Sequence, residues 1–289
     1  MKKNIVTILA VAVVAVGCST SQKVAKVANV TTFKNSITPA ELSKHLYIIA
    51  DDNMEGRNTG EPGQKRAGDY LINEYKKNGI SFPKGASDFY QKVPAEFMKK
   101  GFAPKLGDSE NIWAFIPGSE KPEEVLVISA HYDHVGMKNG EVFNGADDDG
   151  SGTVSVLEVS EAFGKAAKAG HRPRRSMLFM TVTGEEKGLL GSEFYVRHPV
   201  LPLENTVCDI NIDMVGRTDK EHEGKGDYIY VIGSDKLSSQ LRAVLEEQNK
   251  KHIGLELDFK FNVKFINRNL NKKASLKKGR FIVIYFLKN

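Results

Sequence analysis

The chain has 289 residues and a formal net charge of +5, with 40% hydrophobic and 27% charged residues. That composition is ordinary for a globular α/β protein and excludes a disordered, collagen-like or disulfide-scaffolded chain. The charge is uneven: residues 259–289 hold nine basic residues and no acid, while the rest carries 32 basic against 36 acidic residues. The basic pI is therefore no argument for nucleic-acid binding, and none is expected.

Lys2 and Lys3 precede a run from Ile5 to Val16 that is apolar except for Thr7. The run is too short to span a bilayer and has the layout of an export signal. Ala15-Val16-Gly17-Cys18 resembles a bacterial lipobox, in which the cysteine is lipidated and becomes the mature N-terminus. Cys18 is therefore the expected lipidation site and residues 1–18 the signal peptide. The protein is expected to be exported and lipid-anchored to a bacterial membrane, in the periplasm or at the cell surface. Cys208 would then lack an intramolecular partner. Residues 19–33 show no periodicity and read as a tether, which leaves residues 34–289 as one domain.

Thr38-Pro39-Ala40-Glu41 opens the first clear helix, expected to run to about Ala50, with Thr38 as cap and Glu41 completing a capping box. A second helix fits Gly63 to Asn78, with Ala67, Tyr70, Leu71 and Tyr75 on one face. Asn111 to Ile116 reads as a short strand before Pro117-Gly118. Val125 to Ala130 is nearly continuously apolar, as expected of a buried strand. Ser151 to Ala169 reads as a helix, Ser176 to Thr183 as a strand and Ser192 to His198 as a short helix. Val207 to Met214 is expected to be a third buried strand and Tyr228 to Ile232 a fourth. Ser234 to Lys251 fits a helix with Leu237, Leu241, Val244 and Leu245 on one side, and Ile282 to Leu287 a last strand. This alternation predicts a three-layer α/β/α domain with a mixed, largely parallel central sheet.

Chemistry-bearing residues gather where the strands end. The first buried strand leads into His131-Tyr132-Asp133-His134, and Gly145-Ala146-Asp147-Asp148-Asp149-Gly150-Ser151-Gly152 opens the following helix. The next two strands end in Gly184-Glu185-Glu186 and Asn211-Ile212-Asp213-Met214. The carboxyl ends of strands in an open α/β sheet line a common crevice. So many carboxylates in one crevice require a counter-charge, because like charges raise one another's pKa. A divalent metal supplies it, and mixed imidazole and carboxylate donors suit zinc. Each piece alone has an ordinary reading as a surface pair, a solvated turn, a charge pair or a helix cap. Their order at successive strand ends favours a metal site.

These four motifs, over about Ile37 to Phe259, closely resemble those of the co-catalytic dizinc aminopeptidases, a zinc metallopeptidase family that includes glutamate carboxypeptidases and the related glutaminyl cyclases. Glu55-Gly56-Arg57-Asn58-Thr59-Gly60 is similar to a further feature of that family. The resemblance implies two zinc ions and peptide substrates. It implies His131 as a ligand of one zinc oriented by Asp133, Asp148 as the bridging ligand, Asp213 completing the first site and Glu186 binding the second ion. Glu185 is implied as the general base acting on water.

The pattern breaks near the C-terminus. The family's second zinc takes one more histidine, in a Ser-Asp-His-like segment, and no histidine follows His252 here. Lys272 falls near the ligand position, and a protonated lysine cannot bind zinc. The family resemblance is lost after about residue 260. The reading favoured is a frameshift or truncation after about Phe261. A natural one-metal or inactive variant, or replacement of the ligand by another residue, are the alternatives. The Asp148–Glu186 site is expected to be the impaired one. The function expected is that of an aminopeptidase, with a glutaminyl cyclase-like acyltransferase or an inactive variant as the other readings. The oligomeric state is left open.

Overall fold

A computed structural model describes residues 30–99, 105–234, 240–261 and 281–285. The expected signal peptide with Cys18, most of the expected tether, Leu237 and Lys272 lie outside the described residues.

Helix α1, Val30–Lys34, corrects the end of the expected tether. It is held because the Phe33 ring tilts against His171, 5.9 Å away. Helix α2 is Pro39–Ile49, and Thr38 Oγ1 accepts the Glu41 N–H as expected of its cap. The Glu41 carboxylate turns outward to Lys44 at 2.9 Å, a pairing one helical turn along. A tight turn at Asp52–Arg57 leads to α3, Pro62–Lys77, whose Ala67, Leu71 and Tyr75 are fully buried. Strand β1, Tyr90–Val93, and the short helix α4, Ala95–Met98, carry no strong pattern in the sequence.

The remaining elements follow the expected alternation. They are β2 (Ser109–Ile116), β3 (Lys121–His131), a small hairpin of β4 (Gly136–Lys138) and β5 (Glu141–Phe143), α5 (Gly152–Lys168) and β6 (Arg175–Val182). After these come α6 (Leu190–Arg197), β7 (Thr206–Asp213), β8 (Tyr228–Ile232), α7 (Leu241–His252), β9 (Glu256–Asp258) and β10 (Phe281–Tyr285). Eight strands form one sheet in the order β1-β2-β6-β3-β7-β10-β8-β9. Strand β3 runs parallel to both β6 and β7, and β8 is parallel to β10 and β9. The β1–β2, β2–β6 and β7–β10 pairs are antiparallel. The sheet is therefore mixed and mostly parallel, as the sequence predicts.

Side chains alternate between two cores, as the period of a strand demands. Ile128 and Ala130 of β3 and Met177 and Phe179 of β6 meet α3 and α5 on one face. Val125, Val127, Leu178 and Met180 point the other way, toward Tyr195 of α6. Strands filled on both faces read as unbroken apolar runs. Two expectations change. Strand β7 is half-buried along most of its length. Helix α7 begins at Leu241 among the described residues and has no buried residue. Its Leu241 and Leu245 pack near Cys208 and Val231, but Val244 is 52% exposed.

One polar cluster sits inside the helical layer. His45 is fully buried, with Nδ1 2.5 Å from the Tyr70 hydroxyl and Nε2 3.1 Å from Glu158 Oε1. Burial lowers the His45 pKa and pushes Glu158 from 4.5 up to about 7. The nearby carboxylates of Glu161 and Glu41 add to the Glu158 shift, and Lys165 and Lys44 oppose it. The pair is thus held uncharged near neutrality rather than as an ion pair. The folded chain keeps a proton that the unfolded chain releases above its ordinary carboxyl pKa. The stability tied to Glu158 is therefore present at low pH and lost as pH rises to about 7. Glu158→Gln removes this dependence. It is expected to raise stability at pH 8 by up to about 3 kcal/mol, with the gain shrinking toward pH 5. Melting curves at several pH values check this, and a lower melting temperature at pH 8 would contradict it.

Candidate metal centre

The four strand-end motifs meet at the carboxyl ends of β3, β6 and β7. His131, 2% exposed, ends β3. Its Nδ1 lies 3.0 Å from the main-chain carbonyl of Asp133 and 3.6 Å from that residue's carboxylate. The ring thus faces both the Asp133 carbonyl and, farther off, its carboxylate. The fully buried Asp133 carboxylate has other work. Its Oδ2 accepts from Thr59 Oγ1 at 2.7 Å and its Oδ1 from the Glu185 N–H at 3.1 Å.

The three aspartates of the Gly-rich loop take three different positions. Asp147 accepts from the Gly216 N–H at 2.8 Å and pairs with Arg217 at 2.6 Å, anchoring the loop after β7. Asp148 turns its Oδ1 to within 3.2 Å of His131 Nε2, and its side chain stays 36% exposed. Asp149 is fully buried and binds backbone alone: its oxygens accept the N–H groups of His131 at 3.2 Å, Gly152 at 2.9 Å and Met214 at 3.1 Å. The loop can fold this tightly only because two positions lack a Cβ. One at Gly145, where φ is +57°, would lie 2.5 Å from the Asp148 carbonyl oxygen, and one at Gly152 would lie 2.2 Å from that of Ile212.

Arg57 locks the floor. Fully buried, it donates to the carbonyls of Tyr132 (2.8 Å), Ile49 (2.7 Å), Asn144 (2.6 Å) and Gly145 (2.8 Å). Burial pulls its pKa to about 10, while Asp133, Asp149 and Asp148 favour its charge.

The donor atoms fall into two neighbouring groups. His131, Asp149 and Asp213 form one, and His134, Asp148 and Glu186 the other, with the ligand atoms of each group within 4.8 Å of one another. In the first, Asp149 is already committed to three N–H groups, so Asp148, beside His131, is the carboxylate free to serve both. Glu185 Oε2 stands 3.9 Å from His131 Nε2. His134 was not singled out from the sequence. Its membership of the second group is the main addition the structure makes, and its place three residues after His131, in the same strand-end turn, was the available signal.

The electrostatics suit a cation. Burial pushes Glu185 up to about 7 and Asp213 up to about 6, against the pull of His131, and neighbouring carboxylates add to both shifts. Burial disfavours a charge on His131, yet Asp133, Asp148, Glu185 and Asp149 together hold its pKa well above the ordinary imidazole range. Two buried donor atoms, Asp213 Oδ1 and His134 Nδ1, have no hydrogen-bond partner. Orphaned imidazole and carboxylate donors facing one crevice fit divalent metal ions of the zinc type. An open cavity of about 520 Å³, lined by His134, Gly145, Asp148 and Arg217 among others, adjoins the second group.

The sequence profile of Peptidase family M28 matches residues 111–261, just over half of the chain. The chain belongs to Peptidase family M28. A probable zinc metalloprotease of Pyrenophora tritici-repentis is 27% identical over 190 residues, 61% of this chain and 36% of that protein. The chain thus spans about a third of that relative's length. Among solved structures, a leucine aminopeptidase precursor from Bacteroides thetaiotaomicron superposes with a TM-score of 0.58 at 17% identity, over 76% of each chain. A glutaminyl cyclase from Porphyromonas gingivalis superposes with a TM-score of 0.56 at 20% identity, over 75% of this chain and 71% of that one. Both show the zinc-exopeptidase type of α/β fold for this M28 chain.

Arg57 supplies the prediction that tests the scaffold. Lysine keeps the charge but not the fork that reaches four carbonyls. Arg57→Lys is expected to lower stability by about 3 kcal/mol, because carbonyls are left buried and unpaired. Urea unfolding measures it, and a loss under 1 kcal/mol would show that the floor does not depend on the fork.

Proposed function

We propose that this M28 chain is a zinc-dependent exopeptidase of the aminopeptidase type, acting on the N-terminal residues of peptides. The observation that carries the reading is the pair of adjoining donor groups with Glu185 beside them. In this reading His131, Asp148 and Asp213 would hold one zinc, and Asp148 and Glu186 would serve a second. When bound, zinc supplies Lewis acidity to water and to the scissile carbonyl.

The chain's own residues do the rest. Glu185 is the general base: its carboxylate takes a proton from the attacking water and passes it to the leaving amine. Asp133 is a positioning residue, since one carboxylate oxygen holds the Glu185 backbone and its carbonyl holds the His131 ring. The acidic crevice also suits the free α-ammonium group of a peptide N-terminus. The alternative implied by the family resemblance, a glutaminyl cyclase-like acyltransferase, needs a single zinc, so the second donor group favours the exopeptidase.

Glu185→Gln is expected to reduce hydrolysis of aminoacyl-anilides by 10²- to 10⁴-fold, a range typical for a lost general base. Metal content should stay unchanged. Wild-type turnover of N-terminal glutaminyl peptides to cyclic product, with none of the anilides, would favour the alternative.

We also propose that the chain is exported and anchored through lipidated Cys18. Among the described residues no helix is long and apolar enough to cross a membrane. In a bacterial host the wild type is expected in the detergent phase of a Triton X-114 partition, and Cys18→Ala in the aqueous phase. Equal partitioning of the two would remove the anchor.

A further inference from the structure

We infer that His134 is a ligand of the second zinc and stands in for the C-terminal histidine that the family resemblance leads one to expect. The inference rests on the zinc reading above and identifies the donor which that reading leaves missing.

Three observations carry it. First, His134 Nδ1 is 3.2 Å from Glu186 Oε1, and with Asp148 these donors form a compact set. Two ligands of a tetrahedral zinc, at about 2.0–2.2 Å each from the ion, lie about 3.3–3.6 Å apart. The 3.2 Å separations of His134 from Glu186 and of His131 from Asp148 match that edge. Second, Nδ1 is buried and makes no hydrogen bond, so its short approach to Glu186 does not satisfy it. A buried, orphaned imidazole nitrogen beside a carboxylate calls for a further atom between them. Third, the ring is prepositioned. The His134 N–H donates to the Arg57 carbonyl at 3.0 Å, and its ring lies against Gly145, where a Cβ would fall 2.5 Å from His134 Cγ. The glycine that shapes the aspartate loop thus also makes room for the imidazole.

No other histidine is available for the role. All seven lie among the described residues. His45 is held between α2, α3 and α5, and His222 is stacked on Tyr228 and bonded to Asp219. The His198 ring packs on Phe194, His171 faces Phe33, and His252 is exposed at the end of α7. The three donors of the second site then come from His134, Asp148 and Glu186, on loops tied to the same floor, and none from residues after 261.

The test uses the full chain stripped of metal and titrated with cobalt(II), with metal content and visible absorption as readouts. The wild type is expected to bind two cobalt ions. His134→Ala is expected to bind one tightly, with affinity for the second reduced at least ~100-fold, while His252→Ala still binds two. His134→Cys supplies a readout that does not rely on loss. A thiolate at position 134 on cobalt is expected to add a sulfur-to-metal charge-transfer band absent from the wild type. Two tightly bound ions in His134→Ala, or no new band in His134→Cys, would overturn the inference and leave the zinc reading standing. A wild type that binds a single ion would overturn it as well. A wild type that binds none would overturn the zinc reading together with it.

Discussion

Three main-chain N–H groups converge on the carboxylate of Asp149, and the rest of the centre depends on that convergence. They come from the end of β3, the first residue of α5 and the residue just after β7. A buried main-chain N–H left without a partner costs about 1–3 kcal/mol, and here a single carboxyl group satisfies three. The junction fixes the spacing between His131 and Asp213, which lie 82 positions apart in the chain. Arg57 does the complementary task, collecting four carbonyl oxygens from around the same crevice. A buried carboxyl group organises the donors of the backbone and a buried guanidinium organises its acceptors. The side chains left over, His131, His134, Asp148, Glu185, Glu186 and Asp213, point into the space between.

That division explains the charge imbalance. The carboxylates that hold backbone are satisfied within the protein. Among those that line the crevice, Glu185 and Asp213 have their proton affinities raised by burial and by neighbouring carboxylates. A divalent ion reverses the sign of the local field and returns such groups to their ionised forms. The excess of acid over base in the body of the chain is concentrated where a cation is called for.

Much of this was legible in the sequence because strand ends and glycine turns are local signals. The alternation of apolar runs located the sheet, and four motifs located the crevice. What stayed hidden was division of labour among like residues. Asp147, Asp148 and Asp149 are chemically identical neighbours, and only their backbone directions separate an anchor for Arg217, a donor facing two histidines and a buried tie. Arg57 binds main-chain carbonyls from 8 to 88 positions away, which no side-chain pattern encodes. His134 gave no signal of its own in the sequence, because its partner Glu186 lies 52 positions away. The helix face containing Val244 misled for the opposite reason: its periodicity is sound, but among the described residues of that face the sheet beneath accepts Leu241 and Leu245 and leaves Val244 exposed.

The order of strands carries a consequence for how the molecule is put together. Strand β10, the last among the described residues, pairs with β7 on one side and β8 on the other, in the interior of the sheet. Five strands, β1, β2, β6, β3 and β7, can assemble before it, but β7 then ends that assembly with one row of N–H and C=O groups open. The strand delivering Asp213 is the edge that waits. Completion of the crevice is therefore tied to a long-range pairing, since β7 and β10 are about 70 residues apart and such pairings form slowly.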